Sequence, residues 1–265
     1  MDLPQGFTNP CPTALLGTSS QAFIGVINAL FASQCILSTT HLYPPDFGPQ
    51  LKNGEEFDFI VVGAGSAGSV VASRLSENPN WKVLLLEAGG YPSSNTEIPA
   101  IFFSTAKTVD DWGYEMEPSQ TGCLGIKDGK CGCPRGKTLG GSGSINGMIY
   151  IRGNRKDYDQ WAEDGNTGWD YDSILEHYKK IEDLQGVEDE RFGKGGDLKL
   201  TQYQNPEPAR NILIESYKEL GYGEYKEEKP IGYLDAYTTI MDGKRFGPAK
   251  AFIAKQKTGK ICTWL

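Results

Sequence analysis

Residues 57 to 90 read FDFIVVGAGSAGSVVASRLSENPNWKVLLLEAGG, and this stretch limits the possible folds more tightly than any other. Phe57 to Val62 is a short run rich in β-branched and aromatic residues, too brief for a helix and apolar enough to be a buried parallel strand. Gly63, Gly65 and Gly68 follow. In that order they let the chain turn sharply, let backbone amides approach a pyrophosphate, and let the next helix lie close to the strand. The helix predicted from Ser66 to about Glu77 points its amino end at the same place, where unpaired amides and the helix dipole favour an anion. Trp81 to Leu86 supplies a second strand, and Glu87 stands at its carboxyl end, 19 residues after Gly68. A carboxylate there can accept from both hydroxyls of an adenosine ribose and disfavours a 2′-phosphate. Strand, glycine turn, helix, strand and acid together predict a dinucleotide site. A lone GxGxxG among 33 glycines carries less, and the competing reading is a plain βαβ unit whose glycines serve packing. FAD and NAD both remain open at this point.

The rest of the chain narrows the class. At 265 residues and 38% hydrophobic it can bury a core as one large or two modest domains. A net charge of −8 without a basic cluster argues against a nucleic-acid surface. No apolar run reaches membrane-spanning length, so a membrane partner is not expected. Residues 1–55 stand apart as a leader and linker, with no Lys or Arg before Lys52. Within them Ala22 to Leu37 is apolar apart from Asn28, Ser33 and Gln34, which fits either a secretory signal or an amino-terminal helix covering the domain. Leu42 to Gln50, with three prolines, reads as an extended linker.

Of six cysteines, Cys123 and Cys131 bracket LGIKDGK, whose Asp128-Gly129 is a turn signal that can bring the two thiols together. A cystine there would stabilise by roughly 2 to 3 kcal/mol and point to an oxidising, extracellular compartment; free thiols are the alternative. Cys133 makes a third thiol nearby, but no second pair completes a zinc site, so no metal is expected. Asp110 to Pro118 alternates Trp112, Tyr114 and Met116 as a half-buried strand does, and core aromatics are favoured over a lid strand across a cofactor.

Arg135 to Asp159 reads RGKTLGGSGSINGMIYIRGNRKDYD. Its glycines leave backbone amides bare and able to wrap a flat or anionic ligand, while Ser144 or Asn146 is placed to cap the apolar segment that follows. Taken with the first motif, Gly136, Lys137, Leu139, Gly140, Gly141, Ser142, Asn146, Tyr150, Gly153 and Asp159 resemble the signature of the glucose-methanol-choline (GMC) oxidoreductases. The resemblance runs from about Phe57 to Phe252 and looks most like the FAD-linked glucose dehydrogenase branch.

That resemblance implies an α/β, Rossmann-like FAD-binding domain over 56–160 and the start of an α+β substrate domain, incomplete, over 161–265. It implies that the FAD pyrophosphate lies on Gly63, Ala64, Gly65, Ser66, Ala67 and Gly68, and the adenosine on Glu87 and Ala88. The isoalloxazine would lie near Thr138, Gly140 and Gly141, and near Asn146, Gly147, Met148 and Ile149. It implies oxidation of CH–OH groups of sugars or alcohols by hydride transfer to flavin, with a quinone or oxygen as acceptor. Glycine-loop amides can hydrogen-bond the charge that develops on the ring. Asn146 either orients the ring or a substrate oxygen, or is a helix cap.

Beyond Asp159 the chain supplies scaffold. Asp170 to Leu184 predicts a helix with Tyr171, Ile174, Leu175, Tyr178 and Ile181 on one face and Gly186 at its end, and His177 is expected on the surface. Asn205 to Leu220 predicts another helix, stopped by Gly221. In the family a histidine far towards the carboxyl end takes the hydroxyl proton, and neither His41 nor His177 matches it, so no catalytic residue is assigned. Gly243, Arg245, Phe246, Gly247 and Pro248 depart in part from the family's Gly-x-Arg-x-Ser, and no strand is expected after Ile253. The chain thus reads as an amino-terminal part of such an enzyme, inactive alone. Two alternatives stay open: a nicotinamide dehydrogenase, and a non-catalytic secreted protein that binds flavin or sugar.

Overall fold

β1 (Phe59–Val62) lies parallel to β2 (Val83–Glu87), with Phe59 opposite Val83 and Val62 opposite Leu86, in the computed structural model of the chain. The structure describes residues 22–27, 29–30, 40–203, 208–226, 229–256 and 260–263. They fall in two units that part between Thr39 and Thr40. In the first, residues 22–27 and 29–30 are helical and mostly exposed; the remainder of the leader's apolar run lies outside the described residues. No helix among the described residues is long and apolar enough to cross a membrane. Everything below concerns the second unit.

Between the two strands runs α1 (Ser66–Leu75), whose buried face is Ser69, Ala72 and Ser73. Small side chains on that face let the helix approach the sheet. A Cβ on Gly68 would come within 1.9 Å of the Gly63 carbonyl oxygen, so the third glycine is the closest point of that approach. β2 reads VLLLE and is buried along most of its length, as a parallel strand whose faces are covered is. Tyr43, Ala64, Ala72, Val83, Leu85, Leu139, Ala249 and Ile253 pack into the core around it. The segment expected as an extended linker is instead docked. It makes short helical turns at Thr40–Leu42 and Gly48–Gln50, buries Tyr43 against Tyr91, and accepts a hydrogen bond from the Tyr91 hydroxyl on the Pro44 carbonyl.

Past a short α2 (Ser94–Glu97), β3 (Tyr114–Glu115) pairs antiparallel with β4 (Gly132–Cys133). Cys123 and Cys131, between these strands, are joined in a disulfide with their Cα atoms 5.7 Å apart. β5 (Ile149–Tyr150) leads into α3 (Arg155–Glu163) and α4 (Tyr171–Ile181), capped by the side chains of Asn154 and Asp170 respectively. The helix expected to reach Leu184 stops at Ile181, because Glu182–Gln185 forms β6, parallel to β7 (Leu198–Gln202). Gly186 therefore follows a strand and not a helix. Glu182 is what holds that boundary: its carboxylate accepts from the Arg152 guanidinium at 2.9 and 2.6 Å, the Tyr150 hydroxyl at 2.7 Å and the Gly193 amide at 2.9 Å, all buried or nearly so.

α5 (Pro208–Glu219) follows, and the chain returns as β8 (Tyr237–Thr238), which lies between β5 and β7 to complete a sheet of order β5-β8-β7-β6. A small hairpin of β9 (Ile240–Met241) and β10 (Lys244–Arg245) comes next. Then a wide helical turn, Ala249–Ile253, sends Ala249 and Ile253 into the core around β2, and Ala251 and Phe252 into a second core with Leu184, Leu198, Leu200 and Tyr237. Finally β11 (Lys260–Thr263) lies parallel to β2 on the edge away from β1, Lys260 opposite Leu84 and Thr263 opposite Glu87. No strand was expected there. Ile261 and Thr263 are β-branched, and the free edge of β2 supplies the backbone partners.

Candidate functional site

The site is built where β1 and β2 end. Gly63 donates its amide to the Leu86 carbonyl at 2.7 Å with φ at +91°, the left-handed turn that favours glycine. The chain then reverses under the carboxylate of Glu87, which accepts from the Ala64 amide at 2.7 Å and from the Gly89 amide at 2.9 Å. Gly65 precedes the first turn of α1, so its neighbourhood holds the positive end of the helix dipole.

A second glycine segment is laid directly over this turn. Leu139 donates to the Gly90 carbonyl at 3.0 Å and Gly140 to the Ala64 carbonyl at 2.7 Å. A Cβ on Gly141 would lie 2.8 Å from the Gly65 Cα. Thr138, buried, donates its hydroxyl to the Gly90 carbonyl at 3.0 Å. Two sequence motifs some 70 residues apart thus meet in one place.

The result is an open cleft of about 760 Å³, within the size range of small-molecule and cofactor sites. Gly63, Gly65, Glu87 and Ala88 line one wall, Gly136, Gly141 and Ser142 another, and Arg135 adds a cation. Gly65 carries the argument for a ligand. Its φ of −68° suits any residue, and a Cβ there would meet no protein atom within 4 Å. Gly68 serves packing; Gly65 leaves room for something outside the chain.

Trp112 and Tyr114 form the far wall of the cleft. They were expected in the core, yet they are 43% and 53% exposed, stacked on one another with centroids 5.9 Å apart, with the Lys137 ammonium 4.8 Å from the Trp112 ring centroid. The alternation was real, but the face that it covers is the cleft and not the interior.

Of the residues expected to hold a cofactor, Gly63, Gly65, Glu87, Ala88 and Gly141 line this cleft. Ser66 and Ala67 are exposed at the amino end of α1. Ala64, Thr138 and Gly140 lie buried beneath, tying the two glycine segments together. Asn146, Gly147, Met148 and Ile149 do not line the cleft but form the next part of the loop. Asn146 caps no helix, since the segment after it is β5; its side-chain oxygen accepts from the Met148 amide at 3.0 Å instead. Met148 is buried with a φ of +60°, and its carbonyl accepts from the Thr239 amide at 2.9 Å.

The outer signature residues are structural. Tyr150 bonds Glu182, Asp159 accepts from the Tyr171 amide at 3.0 Å, and a Cβ on Gly153 would press on the Tyr158 ring at 2.8 Å. His41 and His177 are both exposed and outside the cleft wall. Among the described residues no group of His, Cys, Asp or Glu is placed to hold a metal.

In the sequence Arg245 is only a partial match to the family's Gly-x-Arg-x-Ser, with no role, and the structure supplies one. Only 3% exposed, it donates to the Thr96 carbonyl and the Asn146 side-chain oxygen and carbonyl, each at 2.7 Å, and to the Gly143 carbonyl at 3.3 Å. Burial pushes its guanidinium down to about 10, with Glu97 nearby acting the other way. It remains a cation at neutral pH. The sequence signal was its spacing from Gly243 in that partial match.

Comparison with known proteins agrees with this geometry. Residues 57–263 match the family model for GMC oxidoreductase. The glucose dehydrogenase [FAD, quinone] of Drosophila melanogaster is 40% identical over 249 residues, covering 89% of this chain and 39% of that protein. The oxygen-dependent choline dehydrogenase of Brucella anthropi is 36% identical over 204 residues, covering 75% of this chain and 36% of that protein. Among solved structures, pyridoxine 4-oxidase from Mesorbium loti superposes with a TM-score of 0.71 at 31% identity, covering 79% of this chain and 42% of that one. Formate oxidase of Aspergillus oryzae RIB40 gives 0.68 at 28% identity, covering 81% and 39%. The chain spans about two fifths of the length of these relatives. With the fold, both motifs and the match over most of its length in agreement, this chain belongs to the GMC oxidoreductase family.

Proposed function

We propose that this chain is the FAD-holding part of an oxidoreductase that acts on CH–OH groups of sugars or alcohols, most like glucose dehydrogenase. Residues 56–160 are its FAD-binding domain, to which Ala249–Ile253 and β11 return, and the rest of 161–265 contributes an incomplete substrate region. The observation that carries the reading is Gly65, left without a side chain where neither backbone nor packing requires it, between a helix amino end and Glu87. The cleft residues fit the cofactor. The amides of Gly65 and Ser66 at the amino end of α1 and the helix dipole suit a pyrophosphate, and the Glu87 oxygens keep lone pairs for ribose hydroxyls after accepting from Ala64 and Gly89. Trp112 and Tyr114 offer flat apolar cover. FAD bound there supplies a hydride acceptor for the substrate carbon.

The protein's own contribution is binding and orientation. Arg135 offsets anionic charge, and the Gly140–Gly141 segment keeps the turn in place. Neither histidine of the sequence lies in the cleft wall, so the alcohol's proton has no imidazole acceptor in it. We propose that substrate and acceptor, a quinone or oxygen, engage the whole enzyme and that this chain alone does not turn over. The Cys123–Cys131 disulfide supports a secreted location.

The test is to incubate the purified chain with FAD, remove the excess by gel filtration and record the visible spectrum. Retained flavin bands support the reading. A colourless protein with a folded circular dichroism spectrum overturns it.

A further inference from the structure

The pairing of β3 with β4 extends in one register beyond the strands themselves. Tyr114 lies opposite Cys133 and Glu115 opposite Gly132. The Met116 amide donates to the Cys131 carbonyl at 2.9 Å, the Trp112 amide donates to the Arg135 carbonyl at 2.8 Å, and Asp111 bridges to Gly136. Residues directly opposite in such a ribbon share a face, and so do residues two apart. Trp112, Tyr114 and Met116 therefore share a face with Arg135, Cys133 and Cys131. Trp112, Tyr114 and Arg135 line the cleft, so the ribbon face that carries these sulfurs is the one that forms the cleft wall.

Cys133 is half-buried and carries a free thiol, while Cys131 on the same face is joined to Cys123. Only Gly132 separates Cys133 from that disulfide. Residues two apart along a strand have Cα atoms about 6.7 Å apart, at the upper end of the roughly 4.4 to 6.8 Å that a disulfide spans. A bond between Cys131 and Cys133 therefore needs the strand to shorten by a bend. Gly132 is exposed, and a Cβ there would meet no protein atom within 4 Å. Nothing packs over the bend, and glycine gives it the widest choice of backbone angles.

We propose that Cys133 is the exchanging thiol of a two-state disulfide in the cleft wall. Its thiolate attacks the Cys131 Sγ; the Cys131–Cys133 bond forms, the Cys123–Cys131 bond breaks, and Cys123 leaves as a thiolate that takes up the proton Cys133 gave up. One disulfide and one thiol are present before and after, so no oxidant or reductant is consumed. The exchanged state bends at Gly132, gives up the pairing with Glu115 and loosens β3 with Trp112 and Tyr114. The wall is tight with Cys123 and Cys131 joined and slack after exchange. The effect on a ligand rests on the FAD reading above; the exchange itself does not.

The exchange is read without flavin. Wild type is held folded at about pH 8.5, where thiolate is abundant, then quenched with acid, alkylated with N-ethylmaleimide and mapped by mass spectrometry without reduction. Peptides with Cys123 alkylated and Cys131 joined to Cys133 are expected in at least about a tenth of the chains. Gly132→Val stiffens the bend and is expected to lower that fraction several-fold while keeping Cys123 joined to Cys131. Alkylation of Cys133 alone among the three, however long the incubation, would overturn the exchange, and Gly132→Val exchanging as freely as wild type would overturn the bend. For the wall, Cys123→Ser oxidised in a glutathione buffer holds Cys131 to Cys133, and it is expected to bind FAD about tenfold more weakly than Cys133→Ser, which keeps the original bond. Equal affinities would overturn the link to the cleft. A wild-type chain that binds no FAD counts against the cofactor reading, while the mapping still decides the exchange.

Discussion

The carboxylate of Glu87 accepts a hydrogen bond at 2.7 Å from the amide of Ala64, 23 residues earlier, so the acid expected to meet a ribose also holds the glycine turn in shape. Its role is double, and the two parts separate by substitution. Glu87→Gln keeps one acceptor oxygen and loses the charge, and is expected to cost about 1 to 3 kcal/mol of stability together with at least about tenfold in FAD affinity. Urea melts and FAD titrations on the same preparation check this. A large loss of affinity with unchanged stability would show that the Ala64 contact contributes little.

Gly68 and Gly125 make a matched pair for testing helix approach. A Cβ on Gly68 has the Gly63 carbonyl oxygen at 1.9 Å, and one on Gly125 meets nothing within 4 Å. Gly68→Ala is expected to destabilise by about 3 kcal/mol or more as α1 is pushed from the sheet, while Gly125→Ala stays within about 0.5 kcal/mol of wild type. Urea midpoints decide it, and equal effects would refute the close packing.

The Arg152–Glu182 pair is buried on both sides. Glu182→Ala leaves the guanidinium without its carboxylate and is expected to cost about 3 to 5 kcal/mol. Adding Arg152→Met should recover part of that loss by removing the stranded charge. A double variant no more stable than the single one would argue against the pair as the source.

Asp189 gives a signed pH dependence. The Arg191 side chain, with help from the Tyr237 hydroxyl and against the effect of burial, holds its carboxyl well below the ordinary 3.8. A depressed carboxyl contributes stability that is fully present above its unfolded value and is lost as pH falls through the folded one. Asp189→Asn should therefore be less stable than wild type near neutrality by about 1 to 2 kcal/mol, with the gap closing below about pH 3.8. Urea midpoints across that range test it; a gap that does not depend on pH would assign the effect to packing.

What the sequence made legible was local. Gly63, Gly65, Gly68 and Glu87 lie on one short βαβ unit, so periodicity and glycine spacing were enough to place them. Trp112 and Tyr114 showed the right alternation, but alternation does not say whether the covered face meets protein or a cleft. The overlong helix after Asp170 has the same origin: Leu184 continues the helical period, and only the pairing of β6 with β7, anchored by Glu182, overrides it. Arg245 stood out as a partial family match, but its role was not legible, because three of the four oxygens it reaches are backbone carbonyls, and any residue carries a carbonyl.

One strand also sets a timetable. β1 and β2 leave the ribosome almost together, but Leu84 has its other neighbour at Lys260, 176 residues later. The edge of β2 must wait while nearly the whole second sheet is synthesised, and closing so long a loop is slow. During that interval a run of leucines with unpaired backbone is open to any other strand, so this chain is expected to depend on chaperones during synthesis more than a protein whose sheet is built from neighbouring segments.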